Sequence, residues 1–206
     1  SSYTFLSDGL LVLGVSSPAE PGLLRCFDVN GQELTPINSN YSRIRYLKAM
    51  GQQVIYLGSS PTRLPEIVVV NVRNGGESIL KKSSSLQIDS ESISVPQAIE
   101  FSTTDNGSAH AFYYNPHNPV IEENKNEKPP LIVMTHGGPT GAAGAELNLR
   151  VQFWTSRGFA VVDVNYRGST GYGRVYRDAL KGMWGIYDMA DCVAAADYLV
   201  DNGLAD

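Results

Sequence analysis

The sequence predicts a mixed fold, in which an all-β half is followed by the opening of an α/β sheet. Three observations carry that expectation. A strand-rich pattern occurs twice in the first eighty residues, a polar serine-rich stretch follows over 81–97, and beyond it apolar strands alternate with helical patterns. The first of those later strands, Leu131-Ile132-Val133-Met134-Thr135, runs directly into His136-Gly137-Gly138-Pro139.

The repeat comes first along the chain. Gly14-Val15-Ser16-Ser17-Pro18 returns as Gly58-Ser59-Ser60-Pro61, and Asp28-Val29-Asn30-Gly31 returns as Asn71-Val72-Arg73-Asn74-Gly75, at an offset of 43 to 44 residues. That period suits a four-stranded propeller blade. Apolar runs at 10–13 and 54–57 precede the Ser-Ser-Pro segments, which are expected to be loops. Runs at 23–27 and 67–70 follow them, each leading to an Asn-Gly hairpin signal. Two blades are expected here, fewer than the four to eight that close a ring. A small β-sandwich or meander is the alternative.

After the linker, 98–102 and 109–114 read as a hairpin around Asp105-Asn106-Gly107. A charged loop over 122–128 with two prolines then leads to the Leu131 strand. Residues 145–157 form an amphipathic pattern, with Leu147, Leu149, Val151, Phe153 and Trp154 apolar and Gly158 placed as a helix C′ residue. Residues 159–164 read as a buried parallel strand. Residues 188–200 read as a second helix, with Met189, Cys192, Val193, Ala196, Leu199 and Val200 at helical spacing and Asn202-Gly203 as its stop. Alternating strands and helices point to a doubly wound sheet.

Composition narrows the partners. With 42% apolar and 18% charged residues, the chain reads as a globular protein able to bury a core. No run of 18 apolar residues occurs, and no basic segment precedes an apolar one at the N-terminus, so no membrane span or signal peptide is expected. Residues 98–206 hold eight Lys/Arg against thirteen Asp/Glu, which argues against nucleic acid as a partner. Cys26, Cys192 and the three histidines lack metal-ligand spacing, so no metal or cofactor is expected. Two widely spaced thiols fit a reducing compartment, and hence a cytoplasmic location.

The residues that could carry chemistry lie at strand ends. His-Gly-Gly after a buried strand is how an α/β-hydrolase builds half of an oxyanion hole, because glycines leave backbone N–H groups free to face developing negative charge. Gly137 and Gly138 are the candidate donors, and a side chain at Gly138 would obstruct a substrate carbonyl. His136 reads as a hydrogen-bonded structural residue, since no acid or nucleophile neighbours it in sequence. Val164-Asn165-Tyr166-Arg167-Gly168-Ser169-Thr170-Gly171-Tyr172-Gly173 ends the next strand. It reads as a pocket-lining loop, with Arg167 expected to pair with Asp188 or Asp191. Its spacing is not that of a phosphate-binding loop. Trp184-Gly185-Ile186-Tyr187-Asp188 is expected to cap and pack the following helix. No Gly-x-Ser-x-Gly occurs in the chain.

Together these motifs, with Trp184-Gly185-x-x-Asp188-Met189-x-Asp191-Cys192, resemble the prolyl oligopeptidase superfamily of serine peptidases, most closely its acylaminoacyl-peptidase and dipeptidyl-peptidase branch. The resemblance is specific over about 96–206 and architectural over 1–95. It implies two propeller blades with a linker over 1–95, followed by the N-terminal half of an α/β-hydrolase fold over 96–206. It also implies a peptide substrate and an oxyanion hole that uses the Gly138 amide, with Gly137 and His136 completing that segment. Pro139, Tyr166, Arg167 and Asp188 line or support the pocket. Some branches carry a tyrosine hydroxyl where His136 stands, and that donor is missing here. The family's serine, aspartate and histidine fall downstream of Asp206, so the chain is expected to be an internal segment that is inactive without the C-terminal half of the same protein. A carboxylesterase-like hydrolase, whose motif often reads His-Gly-Gly-Gly, and a non-catalytic β-repeat binding module are the alternatives.

Overall fold

The computed structural model describes residues 2–16, 22–120, 127–138 and 141–206. The chain forms two compact units, Ser1–Gln87 with Ala145–Leu147, and Ile88–Gly144 with Asn148–Asp206.

The first unit holds two four-stranded sheets in which each strand pairs antiparallel with the next. One comprises β1 (Ser2–Phe5), β2 (Leu11–Val15), β3 (Leu23–Phe27) and β4 (Ile37–Asn38), and the other β5 (Arg43–Met50), β6 (Gln53–Ser60), β7 (Arg63–Asn71) and β8 (Glu77–Lys82). Alternation along β2 and β3 buries every second residue, and Val12, Leu24 and Cys26 join Val54, Tyr56 and Val68 in one core.

The internal repeat has a physical counterpart in the β2–β3 and β6–β7 pairs and the turns that follow them. Asp28 Oδ1 accepts from the Asn30 N–H at 2.9 Å, and Asn71 Oδ1 accepts from the Arg73 N–H at 2.9 Å. Gly31 and Gly75 then take the positive φ each turn requires, 79° and 71°. Both turns thus open on an acceptor side chain and end in Asn-Gly, the second being one residue longer than the first.

Two expectations are corrected in this unit. Ser59 and Ser60 belong to β6, with Ser60 opposite Arg63 across a tight turn, so the second Ser-Ser-Pro segment is largely strand. Lys81 and Lys82 belong to β8, which shortens the linker from its N-terminal side. The first Ser-Ser-Pro segment, from Ser17 on, lies outside the described residues, as do residues 122–126 of the charged loop further along the chain.

The second unit is built on one sheet of β9 (Gln97–Ser102), β10 (Ser108–Tyr114), β11 (Leu131–Thr135) and β12 (Ala160–Asn165), in the order β11-β12-β10-β9. Only β11 and β12 are parallel, and the β9–β10 hairpin is antiparallel to β12. The sheet is therefore mixed, with β12 parallel to β11 and the β9–β10 hairpin antiparallel, as the sequence reading of those segments has them. Helix α1 (Leu149–Thr155) connects the parallel pair, and α2 (Gly173–Asp178) and α3 (Tyr187–Asp201) follow β12. Val162 and Val164 of β12 pack with Phe101, Tyr113, Ala195 and Leu199 in the core beneath α3.

Both expected helices differ in detail. Helix α1 starts at Leu149, four residues later than its apolar pattern. Asn148 Oδ1 caps it by accepting from the Arg150 N–H at 3.0 Å. Ala145–Leu147 belongs to the first unit, where Glu146 pairs with Arg45 at 2.7 Å and the Leu147 N–H reaches the Ser60 carbonyl. Its C-terminal end follows expectation. The Gly158 N–H donates to Thr155 O and the Phe159 N–H to Trp154 O, a Schellman end with Gly158 at φ 88°.

In α3 the buried residues are Asp191, Ala194, Ala195 and Leu199, while Met189, Val193 and Val200 are exposed. Of the apolar positions read at helical spacing, Leu199 is buried and Cys192 packs against the core, whereas Met189, Val193 and Val200 face outward. Trp184 is also exposed and Ile186 at the N-cap makes no side-chain cap, so within this segment it is Tyr187 that packs, against the core and Arg167, and the capping expectation is not met.

Candidate active site

Because β11 and β12 are parallel and paired Thr135 to Val164, their C-terminal ends leave the sheet on the same edge. The His136 turn and the Asn165–Gly173 loop therefore run side by side, in the position where open α/β sheets bind ligands.

Side chains fasten the two loops together. Asn165, fully buried, accepts from the Ala143 N–H at 2.8 Å and donates from Nδ2 to Ala143 O at 3.2 Å. The Thr170 N–H donates to Gly141 O at 2.9 Å. The Tyr166 hydroxyl donates to Gly138 O at 3.0 Å, and its ring stacks on His136 with centroids 4.5 Å apart. His136 Nε2 lies 2.7 Å from Ser169 Oγ. Tyr176 donates its hydroxyl to Asn165 O at 2.6 Å, and the Tyr172 ring stacks on His110.

Gly138 adopts φ 68°, and among the described residues no heavy atom lies within 4 Å of where a Cβ would stand at Gly137 or Gly138. The space these glycines border is open. Gly141 is different, since a Cβ there would meet His136 Nδ1 at 2.7 Å and Gly137 O at 2.9 Å. One glycine class faces open space and the other lets the histidine ring pack. Pro139 lies outside the described residues.

Arg167 takes Asp191 rather than Asp188 of the two expected partners. Its Nη2 reaches Asp191 Oδ1 at 2.7 Å, its Nε lies 3.1 Å from both carboxylate oxygens, and its backbone N–H donates to Oδ2 at 2.8 Å. Its Nη1 reaches Asp105 Oδ2 at 2.6 Å in the β9–β10 turn, and the guanidinium lies 3.7 Å from the Tyr187 ring centre. Arg167 and Asp191 are both buried. The arginine ties loop, hairpin and helix into one support. Asp188 Oδ1 is buried and lacks a hydrogen-bond partner among the described residues.

Electrostatics follow from these surroundings. Burial pushes the His136 imidazolium toward neutrality, opposed by the Gly137 and Gly138 backbone. Burial, then the Asp188 and Cys192 charges, raise the Tyr166 hydroxyl, so it stays a donor. Asp105 is held well below the usual carboxylate range, by Thr103 first and Arg167 second. Burial would lower Arg167, but Asp191 and then Asp105 more than offset it and keep it charged. Among the described residues no three His, Cys, Asp or Glu side chains stand close enough to hold a metal ion.

Sequence reasoning located both loops and missed Asn165, Ser169 and Gly141 as the residues that join them. The available signal was the polar Asn165 closing a strand that is apolar but for Asp163.

With this geometry in hand, the comparisons with known proteins are informative. Residues 145–206 match the model of the prolyl oligopeptidase family. A puromycin-hydrolyzing peptidase of Mycobacterium tuberculosis superposes over 99% of this chain and 32% of its own, with 35% identity and a TM-score of 0.92. The acylamino-acid-releasing enzyme of Arabidopsis thaliana is 36% identical over 77 residues, 37% of this chain and 10% of the relative. The dipeptidyl aminopeptidase BIII of Pseudoxanthomonas mexicana is 31% identical over 113 residues, 53% of this chain and 16% of the relative. The chain thus spans about a third of the solved peptidase and a smaller share of the curated relatives it matches.

Proposed function

Because the chain belongs to the prolyl oligopeptidase family, we propose that the protein carrying it is a serine peptidase acting on short or acylated peptides through an acyl-enzyme. In this reading a serine from further chain attacks the peptide carbonyl, a histidine moves its proton to the leaving amine, and the Gly138 N–H shares the charge on the oxyanion with a second backbone donor. This chain supplies the oxyanion-binding turn and its support, and by itself is inactive.

The observation that carries the reading is the Gly137-Gly138 turn, held at the C-terminal edge of the sheet by Tyr166 and facing open space. The relatives act on peptides or peptide-like amides by name, which supports a peptide substrate. The two four-stranded sheets of the first unit are read as propeller blades within 1–95, and 96–206 as the first half of the peptidase domain. Further chain of the same protein is proposed to pair with β11, where Val133 is exposed, and to cover Met189 and Val193 of α3. Free Cys26 and Cys192 support a reducing, cytoplasmic setting.

The test is made on the complete protein that contains this chain. A fluorophosphonate probe is expected to label a single serine, and acylated peptide amides to compete with it. Gly138→Ala is expected to lower kcat roughly 100-fold with little change in KM. No labelling, or ester turnover without peptide turnover, would overturn the assignment, the latter in favour of a carboxylesterase.

A further inference from the structure

Ser169 is fully buried beside the His136 turn, and the function proposed above gives it no role. Its hydroxyl touches two groups, Tyr166 O at 2.7 Å and His136 Nε2 at 2.7 Å. A hydroxyl carries one proton. Tyr166 O can only accept, and two oxygens 2.7 Å apart without a proton between them repel. The Ser169 proton therefore goes to Tyr166 O, and Ser169 Oγ must accept from His136.

That assignment fixes the histidine. Nε2 carries the ring proton, and Nδ1 is left as the lone pair, 3.5 Å from Gly137 O and 3.5 Å from the Tyr166 hydroxyl. Tyr166 has already committed its proton to Gly138 O at 3.0 Å. Burial favours the neutral ring, consistent with a single donating nitrogen. The ring is also sandwiched, stacked on Tyr166 and limited by the Cα of Gly141, where no Cβ fits.

We infer that Ser169 is a positioning residue that holds His136 in its Nε2–H tautomer and so fixes the Gly137-Gly138 backbone for oxyanion binding. The inference rests on the peptidase reading for its kinetic consequence but not for its geometry. Three contacts make up the device: Ser169 holds the far end of the His136 ring, Tyr166 covers its face, and the same Tyr166 holds the Gly138 carbonyl. Both residues leave β12 within one turn of chain, so the loop presents them as a unit. Ser169 touches neither substrate nor the reacting carbonyl, and acts through the histidine.

The experiment uses the complete protein, with histidine labelled by ¹⁵N and the His136 signal identified by its disappearance in His136→Gln. The wild-type spectrum is expected to show the proton on Nε2, and Ser169→Ala to release the ring into a mixture of both tautomers. In parallel, Ser169→Ala is expected to lower kcat about tenfold, less than the 10²–10³ of deleting a donor, with KM within about twofold. Ser169→Thr, which restores the hydroxyl, is expected to recover most of that loss. A proton on Nδ1 in the wild type overturns the inference without any variant needing to fold. Ser169→Ala that only lowers the melting temperature and leaves kcat intact also overturns it, because that is a structural role alone. Absence of all hydrolysis by the wild type would instead sink the peptidase reading, and the nitrogen spectrum judges the clamp separately.

Discussion

Arg167→Ala is the sharpest probe of how the site is supported. The guanidinium and the Asp191 carboxylate are both buried, and Asp191 is fully so. Removing the arginine side chain leaves Asp191 with only the backbone N–H of residue 167, at 2.8 Å, as a charge-assisted partner among the described residues. A buried carboxylate deprived of its counter-ion costs about 3–5 kcal/mol, because it has lost both solvent and partner. The lost stacking over Tyr187, at 3.7 Å, adds to this. Asp105 sits at the other end of the fork with its side chain 42% exposed, so Asp105→Asn is expected to cost far less. A double-mutant cycle with Asp191→Ala separates the contributions. The double variant is expected to be more stable than Arg167→Ala alone, since it removes the stranded charge. The assay is equilibrium urea unfolding of the complete protein, followed by a signal from the domain that holds Arg167. An Arg167→Ala cost below about 1 kcal/mol, the range of an exposed pair, would refute the argument.

Other consequences concern charge and packing. Burial raises the Asp163 carboxyl from 3.8 to about 6, with Arg150 partly opposing. The folded state therefore favours the protonated form, and its stabilising effect is complete below the unfolded value and lost as pH rises through about 6. Asp163→Asn is thus expected to be more stable than wild type above pH 6, by up to ~3 kcal/mol. The two should converge below about pH 4, and a pH-independent difference in unfolding curves would contradict this. Gly141→Ala is expected to displace the His136 ring, since a Cβ there meets Nδ1 at 2.7 Å. The prediction is lower kcat with near-normal KM, and unchanged kinetics would show that the ring has room to spare. Asn165→Ala strands the Ala143 N–H and C=O together, and is expected to destabilise by roughly 1–3 kcal/mol in thermal or urea unfolding.

The strands were legible because alternation and turn chemistry are local. β3 (Leu23–Phe27) lies where its apolar run does, and the Asp28 and Asn71 turns are visible as acceptor residues before Asn-Gly. Helix faces were less legible. The stripe of Met189, Val193 and Val200 is a true helical pattern, yet the surface of α3 packed on the sheet is made by Ala194, Ala195 and Leu199 around a buried Asp191. Periodicity identifies a face without saying which neighbour covers it, and a satisfied ion pair can occupy the inner one. Helix α2 was missed because its six residues begin at Gly173 and show no apolar period. In the site, the position of the His-Gly-Gly turn was legible because an apolar strand running into paired glycines is a local signal. The partners that hold it, Ser169 and Tyr166 for His136 and Asn165 for Ala143, lie 22 to 33 residues away and meet only through the parallel register of β11 and β12.

The central claim is that the Gly138 amide binds the oxyanion of a peptidase. It is tested most directly by the crystal structure of the complete protein after reaction with a peptidyl phosphonate, whose tetrahedral phosphorus mimics the intermediate. The account predicts a phosphonyl oxygen about 2.7–3.1 Å from the Gly138 nitrogen, with the Tyr166 hydroxyl still on Gly138 O. An adduct whose oxygen binds elsewhere, leaving the Gly137 and Gly138 amides to solvent, would contradict it.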